Sequence, residues 1–275
     1  CPNAEELRML WTGLTPEALQ ALADELPLAS KLKGIDVSQF DELLKTAEGG
    51  TALAQFITKC PNAEELSMNG TGLTPETLQA LADKLPSACK LKNIDVSFNN
   101  THYGDELLKT AEGVTALAQF IIKCPNAETL DMNATGLTPE TLQALADKLP
   151  SACKLKSIAV SNHELLKTAE GVTALAQFIL KCPNAETLDM NATGLTPETL
   201  QALANKLPPA CKLKDIDVSY NDELLKTAEG GTALAQFILK CPNAETLNMY
   251  GTGLTSEALQ ALVDKLPSAL KLKNI

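Results

Sequence analysis

The sequence contains very little arginine and few aromatic residues. Arg8 is the only arginine among its 23 basic residues, and aromatic side chains make up 4% of the 275 residues. A protein that held phosphate groups through guanidinium forks would need more arginine, and the formal net charge of −11 repels anions. The composition therefore predicts no nucleic-acid partner and no binding to an anionic membrane surface, and it favours a cationic partner.

Signals for membrane insertion, export and catalysis are also missing. No apolar run approaches the roughly 18 residues that a membrane-spanning helix needs, and no signal peptide opens the chain. The sequence has no nucleophile elbow and no paired catalytic carboxylates, and the glycine pairs at 49–50 and 230–231 lie inside predicted helices rather than in a phosphate-binding turn. We therefore predict no enzyme, no catalytic or metal-binding residue, no cofactor and no small-molecule substrate.

What the sequence does contain is repetition. The segment Gly136–Pro150 has close copies at Gly72–Pro86, Gly194–Pro208, Gly13–Pro27 and Gly253–Pro267, and the first of these copies is identical. Five copies of one amphipathic unit indicate a repeat protein in which each unit shares a core with its neighbours. We therefore expect one elongated domain over residues 1–275.

Each long unit combines two kinds of repeat. The first has the form AxxLxM followed by TG, and the second has the form LxxIxV. Leu7 and Ile35 are 28 residues apart, as are all later pairs of this kind, while the step from a second-type to the next first-type repeat is 30 to 36 residues. The alternation of apolar and polar residues indicates a short strand with one buried face. Ten such strands can be counted, and the tenth ends at Ile275.

A helix is predicted after each strand. In the first type, Thr138 is the expected N-cap and Pro139 the first helical residue, and Leu142, Leu145 and Leu149 fall on one face. The second type follows the same plan with a helix one turn longer. Strands lie about 4.8 Å apart whereas helices need 8–10 Å, so a stack of these units should bend with its strands on the inside. The predicted fold is an α/β horseshoe.

The eight cysteines form no CxxC motif. Those at 1, 60, 124, 182 and 241 end helices, and those at 89, 153 and 211 lie in a helix-to-strand turn. Equivalent cysteines two repeats apart should be separated by roughly 10 Å or more, too far for a disulfide. Buried free thiols indicate a reducing compartment, and we predict a cytoplasmic protein.

The strand formulas resemble those of leucine-rich repeats. They are LxxIxVxxN, as at Leu213, Ile216, Val218 and Asn221, and AxxLxMxxT, as at Ala127, Leu130, Met132 and Thr135. The 28-residue unit with a full helix resembles the ribonuclease-inhibitor-like class, which includes ribonuclease inhibitors and the sensor regions of NOD-like immune receptors. The resemblance covers essentially the whole chain and implies a leucine-rich repeat solenoid with a parallel sheet on the concave face and helices on the convex face.

Two departures from the family pattern leave the subfamily open. Threonine stands where asparagine is usual in the first-type repeats, and neither end of the chain has a recognisable polar cap. Repeat arrays need such caps, so we expect the chain to be a segment of a longer protein.

Differences between the repeats concentrate at solvent-facing strand positions, which we expect to lie on the concave face. Carboxylates dominate these positions, and aromatic side chains stand beside them. Exposed aromatic residues commonly anchor interfaces. The predicted partner-binding residues are Arg8, Trp11, Asp36, Asp95, Phe98, Tyr103, Asp131, Asp189, Asp217, Tyr220 and Tyr250. The alternatives are drift of exposed positions, a solvated acidic face without a partner, and burial of Trp11 and Tyr250 against a missing cap.

The loop Phe98–Glu106 is longer than its equivalents in the other repeats. Insertions in solenoids often form contacts, so Asn99, Asn100, His102 and Tyr103 are further candidates, and the alternative is tolerated drift of the loop. His102 and His163 occupy the same loop type in neighbouring second-type repeats, but two histidines without further ligands do not form a recognisable metal-binding motif.

The functional prediction is a non-enzymatic scaffold that binds a cationic protein or peptide through an acidic, aromatic-dotted concave face. The resemblance implies either an inhibitor-like binder or the ligand-sensing region of a cytosolic NOD-like immune receptor, and thus a role in innate immunity. One alternative is an engineered or consensus-type repeat scaffold without an evolved ligand, since the copies are nearly identical. Another is a GTPase-activating leucine-rich repeat module, which the single arginine disfavours.

Overall fold

The computed structural model describes residues 4–10, 12–27, 30–39, 43–87, 89–99, 107–151, 153–267 and 271–274. Spatial contacts group the chain into two compact units. The first comprises Cys1–Gly136 and Asp147–Lys154, and the second comprises Leu137–Ala146 and Leu155–Ile275.

The first unit alternates short strands with helices. Its elements are β1 (Glu6–Arg8), α1 (Pro16–Glu25), β2 (Gly34–Asp36), α2 (Ala47–Lys59), β3 (Glu65–Ser67), α3 (Pro75–Lys84), β4 (Asn93–Asp95), α4 (Ala111–Lys123) and β5 (Thr129–Asp131). The five strands pair in parallel in chain order, and their central residues lie in register, as Leu7 with Ile35 and Ile94 with Leu130. Helices α1 to α4 each pack against the next.

The second unit repeats this plan. Its elements are β6 (Ser157–Ala159), a short 3₁₀ helix (Glu164–Lys167), α6 (Ala169–Lys181), β7 (Thr187–Asp189), α7 (Pro197–Lys206), β8 (Asp215–Asp217), α8 (Ala228–Lys240), β9 (Thr246–Asn248) and α9 (Ser256–Lys265). The four strands again pair in parallel and in order. The residues of α5 (Pro139–Lys148) are divided between the two units.

The tenth strand predicted at the end of the chain is not formed as a strand in the described residues. Asn274 makes a single parallel bridge to Thr246, and Ile275 lies outside the described residues. The other nine strands lie where the repeat formulas place them. The α/β leucine-rich repeat solenoid is therefore confirmed as the fold class.

Threonine occupies the N-cap position of the helices, as the sequence predicts, although the side chains of Thr46 and Thr227 make no capping hydrogen bond. The hydroxyl oxygen of Thr138 accepts a hydrogen bond from the backbone nitrogen of Thr141 at 3.3 Å, and that of Thr168 accepts one from the nitrogen of Gly171 at 3.2 Å. Such a cap satisfies one of the unpaired amides of the first turn and contributes about 1 kcal/mol. Helix α5 ends at Lys148, two residues before Pro150.

The core lies between the sheet and the helices. The central residues of β2 to β9 are buried, as are the leucine stripes of α3, α5 and α7, whereas Leu22 in α1 and Leu259 in α9 are 38% and 45% exposed. The longer helices add one fully buried phenylalanine each, at Phe56, Phe120, Phe178 and Phe237. Because truncation of a buried phenylalanine costs about 3–5 kcal/mol, these four side chains are major contributors to the stability of their units.

Close helix packing explains the glycine pairs. The pairs at 49–50 and 230–231 lie inside α2 and α8, as predicted. A side chain at Gly231 would overlap the carbonyl oxygen of Ala258 in α9. Glycine at this position therefore permits close approach of two helices, and the pair has no phosphate-binding geometry.

Candidate interaction surface

The exposed side of the sheet in the first unit is the first candidate surface. We call it the first strand face, and it consists of the outward residues Glu6, Arg8, Gly34, Asp36, Glu65, Ser67, Asn93, Asp95, Thr129 and Asp131. Together with the strand backbone they line a depression of about 300 Å³. Gly34 has no side chain, which leaves room between Glu6 and Glu65.

The charges on this face are strongly unequal. Five carboxylates and one guanidinium line the depression. Arg8 Nη2 lies 3.0 Å from Glu6 Oε2, so the single cation is paired within its own strand. Asp95 and Asp131 lie opposite each other on neighbouring parallel strands, where like charges disfavour one another. The first strand face therefore presents a negative field that favours cationic ligands.

The aspartates of this face also hold the turns that follow their strands. Asp36 Oδ1 accepts hydrogen bonds from the backbone nitrogen and hydroxyl of Ser38 at 3.0 and 2.5 Å. Asp95 Oδ1 makes the same two contacts with Ser97, at 2.9 and 2.5 Å. One carboxylate oxygen is thus committed to local structure.

This turn was not predicted, although the sequence carries a signal for it. The string Asp-Val-Ser occurs at 36–38, 95–97 and 217–219, and in each copy the aspartate bonds to the serine two residues on. At Ala159 the carboxylate is absent from the equivalent position. The aspartates are therefore partly structural, and their charge and their capping oxygen have to be separated in any test of binding.

The second unit has its own exposed strand side. We call it the second strand face, and it consists of Ser157, Ala159, Thr187, Asp189, Asp215, Asp217, Thr246 and Asn248. Asp217 Oδ1 accepts from the nitrogen of Ser219 at 2.8 Å, and its Oδ2 accepts from Asn248 Nδ2 at 2.8 Å. Asp189 lies opposite Asp217 and caps the turn at Asn191.

An exposed aromatic pair adjoins the second strand face. The rings of Tyr220 and Tyr250 meet edge to face, with centroids 5.2 Å apart and an interplanar angle of 68°. Their exposures are 57% and 68%. The backbone nitrogen of Tyr220 donates to the carbonyl oxygen of Tyr250 at 2.8 Å, which fixes the two turns relative to each other. Such a pair offers a large, preorganised apolar contact.

Phe98 occupies the position of Tyr220 in the first unit. It is 52% exposed and, like Tyr220, has a positive φ angle of 54°. A bulky side chain in this left-handed conformation is uncommon and costs free energy. The equivalent Gln39 and Asn162 have φ angles of 65° and 60°, so the turn itself requires this conformation whatever side chain stands there.

Part of the predicted surface cannot be placed. Trp11 and Tyr103, and all of the loop Phe98–Glu106 after its first two residues, lie outside the described residues. Asn99 is the exception, and there the prediction was wrong. Its side chain is 2% exposed and hydrogen-bonds to backbone groups of two repeats, so it supports the turn and is not available to a ligand.

His163 and the lysines have structural partners. His163 is buried at the position of Asn99, and its Nδ1 lies 3.0 Å from the carbonyl oxygen of Val160. Lys92 and Lys214 pair with Glu64 and Glu186 of the preceding repeat at 2.9 and 2.7 Å. Within the described ranges, no group of three or more metal-ligating side chains is arranged to hold a metal ion. None of the described helices is long and apolar enough to cross a membrane.

Comparison with known proteins agrees with this geometry. No family model matches the chain. A crystal structure of the leucine-rich repeat-containing protein LegL7 from Legionella pneumophila is similar over 100% of this chain and 83% of that one, with a TM-score of 0.66 and 15% identity. The chain is a leucine-rich repeat protein. Its 28-residue strand–helix unit places it in the ribonuclease-inhibitor-like class.

Two sequence relatives are distant and much longer than this leucine-rich repeat chain. Coronatine-insensitive protein 1 from Arabidopsis thaliana is 24% identical over 88% of the chain and 38% of its own length. NACHT, LRR and PYD domains-containing protein 5 from Bos taurus is 25% identical over 94% of the chain and 25% of its own length. The chain thus spans less than two fifths of either relative.

Proposed function

We propose that this leucine-rich repeat protein is a non-enzymatic recognition scaffold that binds a cationic protein or peptide through its strand faces. The observation that carries the proposal is the depression of about 300 Å³ lined by five carboxylates and a single arginine. A partner that brings lysine or arginine side chains to this depression would relieve the repulsion between Asp95 and Asp131. Steering by the same field would speed its association at low salt.

The aromatic residues supply the apolar part of the proposed contact. Tyr220, Tyr250 and Phe98 remain largely exposed although each could have been a smaller polar residue. Aromatic anchors beside charged groups are typical of the few side chains that dominate an interface. We therefore place the anchor of the second strand face at the tyrosine pair.

The proposed setting is the ligand-sensing region of a cytosolic immune receptor of the NOD-like kind. Similarity to NACHT, LRR and PYD domains-containing protein 5 supports this placement. The seven cysteines among the described residues are buried free thiols, which agrees with a reducing cytoplasm. An inhibitor-like free-standing binder would use the same surface in the same way.

The proposal can be tested by selecting ligands from a random peptide library displayed on its encoding RNA. The bait is the full chain, and the counter-bait carries Asp36→Asn, Asp95→Asn and Asp131→Asn. Asparagine keeps the oxygen that caps each turn and removes the charge, while the second oxygen, which in Asp95 accepts from Ser67, becomes an amide nitrogen. We expect peptides enriched in lysine, arginine and aromatic residues that bind the wild type and not the triple variant.

A matched control removes three charges from the helices. It carries Asp24→Asn, Asp83→Asn and Asp264→Asn, each at a position that bonds to a glutamine four residues earlier. Helix α7 already has Asn205 at this position, where Gln201 donates to it at 3.3 Å, so the change suits the fold. Selected peptides should bind this control as well as the wild type. Peptides without basic residues, or equal binding to all three proteins, would contradict the proposal.

A further inference from the structure

Two pairs of buried cysteines lie with their sulfur atoms almost in bonding contact. Cys89 Sγ is 2.7 Å from Cys124 Sγ, and Cys211 Sγ is 2.7 Å from Cys241 Sγ. A disulfide bond is about 2.05 Å long, so each pair needs an approach of only about 0.7 Å. The sequence interpretation compared only cysteines at equivalent positions and therefore missed a contact between the two kinds.

The repeat geometry creates this contact. The first cysteine of each pair lies in the turn before a second-type strand, and the other ends the helix of the same repeat. The backbone nitrogens of Cys89 and Cys211 donate to the carbonyl oxygens of Lys123 and Lys240, the residues just before the helix-end cysteines. The turn and the helix end are thus already tied together by the main chain.

We infer that the Cys89–Cys124 and Cys211–Cys241 pairs are dithiol sites that exchange reversibly with low-molecular-weight disulfides such as oxidised glutathione. Each site closes a second-type repeat, β4 with α4 in the first unit and β8 with α8 in the second. These two repeats carry Phe98 and Tyr220, so oxidation locks the segments that present the exposed aromatic rings.

The exchange begins at the cysteine in the turn. Cys89 and Cys211 are 6% and 7% exposed, whereas their partners are 1% and 0% exposed. The hydrogen bond between the two thiols lowers the pKa of Cys89 and raises the pKa of Cys124, which burial raises further. The thiolate is the attacking species, so both access and acidity favour the turn cysteine.

The reaction balances as two exchange steps. The turn thiolate attacks one sulfur of oxidised glutathione, which forms a mixed disulfide and releases one reduced glutathione. The helix-end thiol then loses its proton, and its sulfur displaces the second glutathione. Two thiols and one small disulfide give one protein disulfide and two small thiols, and two electrons pass from the protein to the glutathione. An excess of reduced glutathione reverses both steps.

The chain carries a natural control for this chemistry. In the second-type repeat of β2 and α2 the turn position is Ser30, whose nitrogen donates to Lys59 in the same way. Burial raises the pKa of Cys60, and its partner there is the Ser30 hydroxyl. This pair cannot form a disulfide, and it shows that serine suits the turn position.

The test equilibrates the full folded chain in buffers of increasing oxidised-to-reduced glutathione ratio, with diamide, a small uncharged acceptor of two hydrogen atoms, as a second oxidant. Because these thiols are buried in the folded chain, the protein is then unfolded in denaturant, the free thiols are alkylated and the peptides mapped. We expect crosslinked peptides that join Cys89 to Cys124 and Cys211 to Cys241, while Cys60 stays alkylatable. The thermal midpoint should rise on oxidation and return with dithiothreitol.

Two variants make the result decisive. Cys89→Ser with Cys211→Ser should abolish both crosslinks and the rise in midpoint, and Ser30→Cys should add a third crosslink to Cys60. Cysteines 1, 153 and 182 are mapped separately. The inference is overturned if the paired thiols stay alkylatable with both oxidants, or if Cys89 and Cys211 crosslink to other cysteines in the folded protein.

Discussion

The side-chain amide of Asn99 holds the turn that contains Thr71 in the preceding repeat. Asn99 Oδ1 accepts hydrogen bonds from the backbone nitrogens of Thr71 and Leu73, both at 3.0 Å, and its Nδ2 donates to the carbonyl oxygen of Met68 at 2.9 Å. Thr71 itself donates its hydroxyl to Met68 at 2.8 Å. At Thr71, and likewise at Thr193, threonine therefore suffices because the asparagine of the next repeat satisfies the remaining backbone groups.

Replacing such an asparagine should be severely destabilising. Asn221 has the same contacts in the second unit, with the backbone nitrogens of Thr193 and Leu195 and the carbonyl oxygen of Met190. Asn221→Ala leaves these buried groups without partners, and each unsatisfied group costs about 1–3 kcal/mol. We expect a loss of about 3 kcal/mol or more in the free energy of unfolding, measured by urea denaturation.

The matched control for this change is Asn243→Ala. Asn243 accepts one surface hydrogen bond from Lys271 at 2.7 Å. Its loss should cost about 1 kcal/mol or less, since water can replace it. Equal effects of the two changes would show that the buried amide has no special role.

A turn position with positive φ offers a stabilising change. Ala134 and Ala192 have φ angles of 51° and 50°, whereas the equivalent Gly70 and Gly251 have 59° and 66°. Glycine adopts this conformation without the steric cost that alanine bears, although it also gains freedom in the unfolded chain. We expect Ala134→Gly to raise the free energy of unfolding by about 0.5–1 kcal/mol.

Replacing glycine by alanine should destabilise the protein where packing leaves no room for a side chain. A side chain at Gly113 would overlap the carbonyl oxygen of Leu107. Gly113→Ala should therefore lower the thermal midpoint, although alanine is the better helix former. A thermal midpoint that rises with Gly113→Ala or falls with Ala134→Gly would contradict this account of where glycine is favoured.

Stability should fall in acid because of ion pairs between neighbouring repeats. Hydrogen bonds from Lys92, Lys214 and Lys273 lower the pKa of Glu64, Glu186 and Glu245 below the ordinary 4.5. The folded-state pKa lies below the unfolded one, so this contribution is fully present above about pH 4.5 and is lost as the pH falls through the folded-state pKa.

The check for this contribution is the pH dependence of the thermal midpoint in wild type and in a variant with all three glutamates changed to glutamine. The wild-type midpoint should fall more steeply than that of the variant below about pH 4.5. Because these side chains are exposed, the difference should be small. Parallel curves would mean that the pairs contribute nothing to stability.

The tyrosine pair should matter for ligand binding and little for folding. Tyr250→Ala removes a ring that is 68% exposed, so the thermal midpoint should change little. Peptides selected on the wild-type protein should bind this variant at least tenfold more weakly, a loss of about 1.4 kcal/mol. Val263→Ala, at a 59% exposed position on α9, is the control and should leave binding unchanged. Normal peptide binding by Tyr250→Ala would show that the tyrosine pair does not anchor the ligand.

Local and repeated features could be predicted from the sequence. Leu142, Leu145 and Leu149 are buried, as their helical spacing predicts. Thr138 caps its helix, as the proline and glutamate that follow it indicate. These features depend on neighbours within one turn of helix or two residues of strand. Repetition then confirmed each assignment several times over within one chain.

Contacts between residues of different elements could not be predicted from the sequence. Asn99 was predicted to be a loop residue available to a ligand. Its side chain instead bonds to backbone groups 26 to 31 positions away, which the sequence does not reveal. Cys89 and Cys124 meet across 35 positions. The use of Asp36 as a turn cap was visible in principle from the repeated Asp-Val-Ser string. The roles of Trp11 and Tyr103 remain predictions.

The most direct test of the central claim is the affinity of a selected basic peptide for three proteins, measured by titration calorimetry at low and at physiological salt. The proteins are the wild type, the strand-face variant (Asp36→Asn, Asp95→Asn, Asp131→Asn) and the helix control (Asp24→Asn, Asp83→Asn, Asp264→Asn). The account predicts at least tenfold weaker binding to the strand-face variant, a smaller salt dependence for it, and no change for the control. Equal affinities for the wild type and the strand-face variant, or equal losses in both variants, would contradict it.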